Sequence, residues 1–198
     1  MIPETDMRAL LALCLTLALP ATAEPLLSEA SGNWAGASGS GFTFLARLTQ
    51  NADKARLTIW AGGPGSAAVA EGDPQFDNAE IALGAFATRQ ALEVLDTGDG
   101  SILQVVTEFA DEEAEGRSVV QLQFLDNQFT VVGYYHRSTF ANPGGEPETY
   151  ECDVDLWNRI SIENGQERRL ERVAFDALNA SDWTFSAAFD RGYCTRTE

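Results

Sequence analysis

The stretch SVVQLQFLDNQFTVVGYYH, residues 118–136, decides the fold class of this chain. Asp126 and Asn127 suit a two-residue type I′ turn, because Asp and Asn tolerate positive φ better than most residues that carry a Cβ. The flanking residues then form an antiparallel hairpin in which side chains alternate between two faces.

That turn fixes a register. It pairs Phe124 with Phe129, Leu122 with Val131, Val120 with Gly133 and Ser118 with Tyr135, and it predicts one apolar inward row. The row comprises Val120, Leu122, Phe124, Phe129, Val131 and Tyr135.

Further hairpins are expected on both sides. Residues 42–48 and 55–61 pair Leu48 with Leu57 across a four-residue loop, and residues 90–95 and 102–109 pair Leu92 with Val105. Asn164-Gly165 is a strong turn signal, for which a three-residue loop pairing Ile160 with Leu170 is favoured over a two-residue loop. Residues 182–189 alternate like a strand, whereas residues 62–80 and 139–149 are predicted to be long loops.

These short neighbouring strands, without a convincing long amphipathic helix, predict an all-β fold. We expect a single antiparallel β-barrel of about 8–10 strands, since closure removes exposed sheet edges. A β-sandwich is the alternative architecture.

The N-terminus predicts export. Arg8 precedes an apolar run at residues 9–19, which is followed by a small-residue cleavage pattern that ends at Ala23. We therefore interpret residues 1–23 as a signal peptide, Glu24 as the start of the mature chain, and residues 24–198 as one β-barrel domain. The apolar run is too short to span a bilayer, and the mature chain contains no predicted membrane span. The expected location is the periplasm or the exterior.

The charge and the cysteine content each limit the partners and the compartment that this chain can be expected to have. The chain has 30 acidic and 13 basic residues, a net charge of −17. This excess argues against binding to nucleic acid and is compatible with a basic protein partner.

Cys152 and Cys194 would both remain in the exported chain, and an oxidising compartment favours a disulfide between them, worth about 3 to 4 kcal/mol. Neither a metal site nor a cofactor site is predicted.

Gly32-Asn33-Trp34, interpreted as opening the first strand, resembles the Gly-x-Trp signature of the calycin group, the lipocalins and avidins. In that group the Trp closes one end of an up-and-down barrel. The resemblance implies a calycin-like barrel with a small apolar ligand in its mouth.

The leading hypothesis is therefore an exported, non-enzymatic β-barrel protein that binds a small apolar or amphipathic ligand. The candidate ligand-binding residues are Trp34, Phe124, Phe129, Val131, Tyr135 and Phe185. The alternative is an acidic protein-interaction module, such as an inhibitor or envelope accessory factor, which uses its surface loops.

A hydrolase ranks third among the hypotheses. His136 is the only histidine available for acid–base chemistry, and no Gly-x-Ser-x-Gly nucleophile elbow accompanies it, so no catalytic residues are predicted.

Overall fold

A computed structural model describes residues 24–35, 42–98, 100–142, 144–172 and 175–195. The predicted signal peptide lies outside these residues. The described chain is all-β, with two antiparallel sheets and only short helices. No helix in the described ranges has the length and apolar character needed to cross a membrane.

The first sheet has four strands in sequence order. They are β1 (Leu26–Asn33), β2 (Phe42–Asn51), β3 (Lys54–Pro64) and β4 (Phe76–Leu83). The predicted pairing of Leu48 with Leu57 is confirmed, but Asn51 also pairs with Lys54, so the connecting turn has two residues and the four-residue loop was wrong. Two further expectations were wrong: the first strand, β1, begins at Leu26 and not at Gly32, and β4 begins inside the predicted 62–80 loop.

The second sheet has seven strands, again as sequential neighbours. They are β5 (Ala87–Asp96), β6 (Ser101–Ala110), β7 (Ala114–Leu125), β8 (Gln128–Phe140), β9 (Glu148–Asp155), β10 (Ile160–Glu163) and β11 (Gln166–Arg169). The predicted pairing of Leu92 with Val105 is confirmed. Asn164-Gly165 forms a two-residue turn that pairs Ile160 with Arg169, so the three-residue loop was wrong. Arg159 lies at φ 61° in the preceding turn, outside β10, and its carbonyl accepts a hydrogen bond from Leu170 N.

The C-terminal segment, residues 175–195, was predicted to contain a strand, and this was wrong. It forms 3₁₀ helices at Phe175–Leu178 and Ala180–Asp182 and a short helix α1 at Ala187–Asp190. Trp183 within it is fully buried. The Asn78 side-chain amide on β4 donates 2.7 Å hydrogen bonds to Ala180 O and Trp183 O, so the segment bridges the two sheets.

The expected disulfide between Cys152 and Cys194 is present and ties this segment to β9. On the other side of the molecule β1 lies beside β5, where Leu92 N donates to Ser28 Oγ at 2.9 Å. Among the described residues, the two sheets are not joined into one closed hydrogen-bonded ring. The inner faces of both sheets and the C-terminal segment share one hydrophobic core.

Candidate functional site

The six candidate ligand-binding residues do not form one site. Trp34, Phe124 and Phe129 meet at one end of the core, whereas Phe185 lines a separate cleft formed around His136. Val131 is fully buried in the core between the sheets. Tyr135 lies on the outer face of β8, where its hydroxyl donates to Glu151 Oε1 at 2.8 Å.

A β-bulge explains why Tyr135 was placed on the wrong face. The predicted register holds from the turn to the Leu122–Val131 pair, but Gln121 then pairs with Gly133. Val132 is therefore an extra residue on β8. Because side chains alternate between the two faces of a strand, one extra residue moves each later side chain of β8 to the face opposite the predicted one. Val120 opposes Tyr134 and Ser118 opposes His136, correcting the predicted partners Gly133 and Tyr135.

The first of the two sites is a pocket of about 190 Å³ beside Trp34. Trp34 stacks on Phe44 with ring centroids 4.0 Å apart, and its edge meets Phe129 at 6.0 Å. Trp34 follows the end of β1, so the Gly-x-Trp motif does not open the first strand as expected. The pocket is lined by Trp34, Phe42, Ala61, Gln75, Phe124, Asn127 and Phe129.

The second site, which we call the His136 cleft, has a volume of about 330 Å³. Strand β8 supplies three of its residues at alternate positions, β9 supplies one, and the C-terminal segment supplies the facing wall. Its lining residues are His136, Ser138, Phe140, Tyr150, Phe185, Ser186 and Phe189.

The facing wall is held by local contacts. Ser186 Oγ donates to Asp190 Oδ2 at 2.6 Å across the single turn of α1. Phe189 from this helix lies almost perpendicular to the His136 ring, with centroids 5.2 Å apart. The disulfide joins Cys194, shortly after this helix, to Cys152, which pairs with His136 across β8 and β9. The cleft therefore depends on the C-terminal segment staying attached to the second sheet.

The polar groups of the cleft are neutral at physiological pH. Burial lowers the pKa of His136 to about 4, because the charged imidazolium would lose its hydration. Tyr134 OH lies 3.5 Å from His136 Nδ1, and Ser138 Oγ lies 3.3 Å from Nε2. Burial raises the pKa of the Tyr134 and Tyr150 hydroxyls well above the usual value, so both stay protonated.

The low pKa of His136 limits its use in acid–base chemistry. An imidazole with so low a pKa is a poor general base at neutral pH, since catalysis works best when the pKa is near the operating pH. Ser138 and Tyr134 contact the ring, but no carboxylate among the described residues hydrogen-bonds the imidazole. In the part of the chain that the structure describes, no group of three or more His, Cys, Asp or Glu side chains is arranged to hold a metal ion.

A third, larger depression of about 540 Å³ lies on the outer face of the second sheet. It is open and charged. Arg117 and Arg137 pair directly across β7 and β8, and Glu108 pairs with Arg117 across β6 and β7. Arg89 on β5 pairs with Glu108, and their side chains form a 2.8 Å ion pair. The depression therefore overlies a charged ladder across the sheet, unlike the apolar His136 cleft.

Comparisons with known proteins add no relatives. No protein-family model matches the chain. Searches of curated proteins and of solved structures likewise gave no match.

Sequence reasoning missed most of the cleft, although it singled out His136 and Phe185. Ser138 carried a usable signal, because residues two apart on a strand share a face and Ser138 is two residues from the only histidine. Phe189 also carried a signal, because the alternation along residues 182–189 places it on the same face as Phe185. Ser186 had no such signal, because it reaches the cleft only through the helical turns of the C-terminal segment.

Proposed function

We propose that this protein is an exported, non-enzymatic β-protein that binds a small apolar or amphipathic molecule in the His136 cleft. The observation that carries the proposal is a cleft of about 330 Å³ whose seven lining residues comprise five ring-bearing side chains and two serines. Ligand sites are typically concave and largely apolar, with a few convergent polar groups that orient the ligand.

Volume and polarity favour this cleft over the other two sites. Small-molecule pockets typically occupy about 300–1,000 Å³, a range that the Trp34 pocket does not reach. The outer depression is large enough, but the charged side chains Glu108, Arg117 and Arg137 line it. An apolar ligand would gain little there, because those side chains would have to give up water to admit it.

The proposed export is supported by the disulfide as well as by the N-terminal pattern. Cys152 and Cys194 are buried and bonded to each other. Disulfides of this structural kind persist in oxidising compartments and are rare in the cytosol. We therefore propose a periplasmic or secreted location, with maturation near Glu24.

We further propose that the two sheets act as the walls of one barrel-like body. The neighbouring edges of β1 and β5 support this proposal, as does the C-terminal segment that fills the gap between β4 and β8. Hydrogen exchange at one backbone amide tests this proposal. The Leu92 amide should exchange slowly in the native protein and faster after Ser28→Ala, and equal rates in both proteins would contradict the proposal.

A fluorescent dye tests the binding function. N-phenyl-1-naphthylamine is neutral and apolar, and its emission rises when it enters an apolar site. We expect saturable binding to the purified protein and a loss of about tenfold or more in affinity for Phe185→Ala, since a phenyl ring contributes more than about 1.4 kcal/mol of contact.

Phe42→Ala is the matched control, because Phe42 is a half-exposed ring that lines the Trp34 pocket at another site. It should leave dye binding unchanged. Absence of saturable binding, or an equal loss in both variants, would reject the His136 cleft as the binding site.

A second candidate function is docking of a basic protein partner on the outer face of β9. Glu151, Asp153 and Asp155 alternate along this face, and Ile162 and Trp157 nearby are exposed. Burial and the two neighbouring acids raise the pKa of Asp153, so the row is already crowded with negative charge. A cationic partner would relieve that repulsion.

Capture on an immobilised basic protein tests this second function. The candidate requires salt-sensitive retention that Glu151→Gln with Asp153→Asn abolishes. The matched control is Glu112→Gln with Glu113→Gln, which removes the same charge from the β6–β7 loop. Equal retention of both variants would attribute the effect to net charge alone.

A further inference from the structure

The walls of the His136 cleft are made of rings. Phe140, Tyr150, Phe185 and Phe189 line it together with the imidazole of His136. The rings also pack at angles to one another, with Tyr150 and Phe189 tilted by 39° and His136 and Phe189 almost perpendicular. Rings that are not coplanar orient their faces in different directions, and the face of an aromatic ring carries negative partial charge.

Carboxylates lie next to the lining of the cleft. Ser186 and Tyr150 are lining residues whose hydroxyls donate to carboxylates, Ser186 to Asp190 at 2.6 Å and Tyr150 to Glu163 at 3.2 Å. Arg168 also contacts Glu163, at 3.1 Å, and so offsets one of these two acids. No lysine or arginine is among the described residues that line the cleft.

An anionic ligand is disfavoured by the same features. A carboxylate or phosphate entering the cleft would lose its hydration with no cation to replace it, because the only titratable nitrogen there is a neutral imidazole. The net charge of −17 also repels anions and attracts cations over longer distances. A neutral apolar ligand meets no such barrier, yet it gains nothing from the ring quadrupoles.

We propose that the ligand of the His136 cleft is an organic ammonium cation, of the quaternary or N-alkylated class, held against aromatic rings. Such a cation carries an apolar surface that suits the lining, and its diffuse charge is attracted to ring faces within about 6 Å. The proposal rests on the proposed binding function and narrows its ligand class.

A pair of isosteric probes tests the role of the charge. Choline and 3,3-dimethylbutan-1-ol have the same shape, but only choline carries the quaternary nitrogen. Each is titrated against the protein saturated with N-phenyl-1-naphthylamine. We expect choline to displace the dye at least about tenfold more effectively than the neutral alcohol, a difference typical of desolvated cation–π contacts.

Leucine variants distinguish the contribution of aromatic ring faces to binding from that of apolar side-chain volume. Phe185→Leu and Phe140→Leu keep an apolar side chain but remove a π face, so each should weaken displacement by choline several-fold and leave displacement by the alcohol unchanged. Phe42→Leu, the same replacement in the Trp34 pocket, should change neither.

The outcomes distinguish this proposal from the function on which it rests. Equal or better displacement by the neutral alcohol, or no displacement by choline while the dye still binds the cleft, overturns the cation proposal and leaves the binding function standing. Failure of the dye to bind at all rejects the binding function, and the cation proposal falls with it.

Discussion

Acidification should destabilise this protein through His136. The pKa of the imidazole falls from its ordinary value of 6.5 to about 4 on folding, because burial disfavours the charged ring. The native state therefore binds the proton more weakly than the unfolded chain does. The stability contributed by the neutral ring is complete above about pH 6.5, and it declines as the pH falls toward about 4.

The size of this loss of stability follows from the linkage between proton binding and folding. Each unit of pKa difference corresponds to about 1.4 kcal/mol, so the loss accumulated between about pH 7 and pH 4.5 is roughly 2 to 3 kcal/mol. His136 is only 8% exposed, so solvent screens this effect little. A loss of this size is a substantial share of the roughly 5–15 kcal/mol that stabilises a typical domain.

Urea unfolding at about pH 7 and about pH 4.5 measures the loss, with His136→Phe as the matched variant. Phe keeps a ring among the neighbouring aromatics but does not titrate. Carboxyls with lowered pKa, such as Asp77 and Glu163, act mainly below this pH range and are present in both proteins. Wild type should lose roughly 2 to 3 kcal/mol more than the variant. Equal losses in the two proteins would refute the burial of a neutral imidazole.

Three further predictions concern how the cleft is assembled. Asn78→Ala should cost about 3 kcal/mol in urea unfolding, because two carbonyls of the C-terminal segment lose their donor, and a cost below about 1 kcal/mol would contradict that bridge. Replacing both Cys152 and Cys194 by Ser should cost about 4 kcal/mol for a 42-residue separation. The same change should weaken dye binding by detaching the cleft wall, and unchanged affinity would show that the wall holds without the disulfide. Deleting Val132 removes the bulge and should abolish cooperative unfolding measured by circular dichroism, whereas a wild-type transition would mean that the bulge is dispensable.

The sequence was most informative near turns. Asp126 and Asn127 adopt φ of 47° and 64°, as the predicted turn requires, and the neighbouring pairs follow from it. The bulge at Val132 escaped prediction because Val131, Val132 and Gly133 are all apolar or small. Period-two reasoning has no marker there for an extra residue.

The C-terminal segment was mispredicted for a different reason. Trp183 and Ala187 are both buried, so alternation along residues 182–189 was a correct sign of burial. It was a wrong sign of strand structure, because residues four apart share one face of a helical turn as well as one face of a strand. The disulfide was predictable because Cys152 and Cys194 are the only cysteines outside the predicted signal peptide.

The candidate site was predicted only in part, since its residues come from three elements whose approach depends on tertiary structure. Phe185 was expected near a ligand, but its partners Phe189 and Ser186 depend on α1 and on the disulfide. Trp34 and Phe124 were grouped with Phe185 because all three inward-facing aromatic rings were expected to line the mouth of a single barrel. The packed core around Val131 separates these residues into two sites.

The single histidine allows one direct test of the central claim. The His136 imidazole gives a unique side-chain signal in heteronuclear NMR, and the ring lines the proposed ligand site. Titration with N-phenyl-1-naphthylamine should shift this signal with the same saturation curve as dye fluorescence, while the indole signal of Trp34 in the other pocket stays constant. A His136 signal that does not move at dye saturation would contradict the claim that the ligand binds in the His136 cleft.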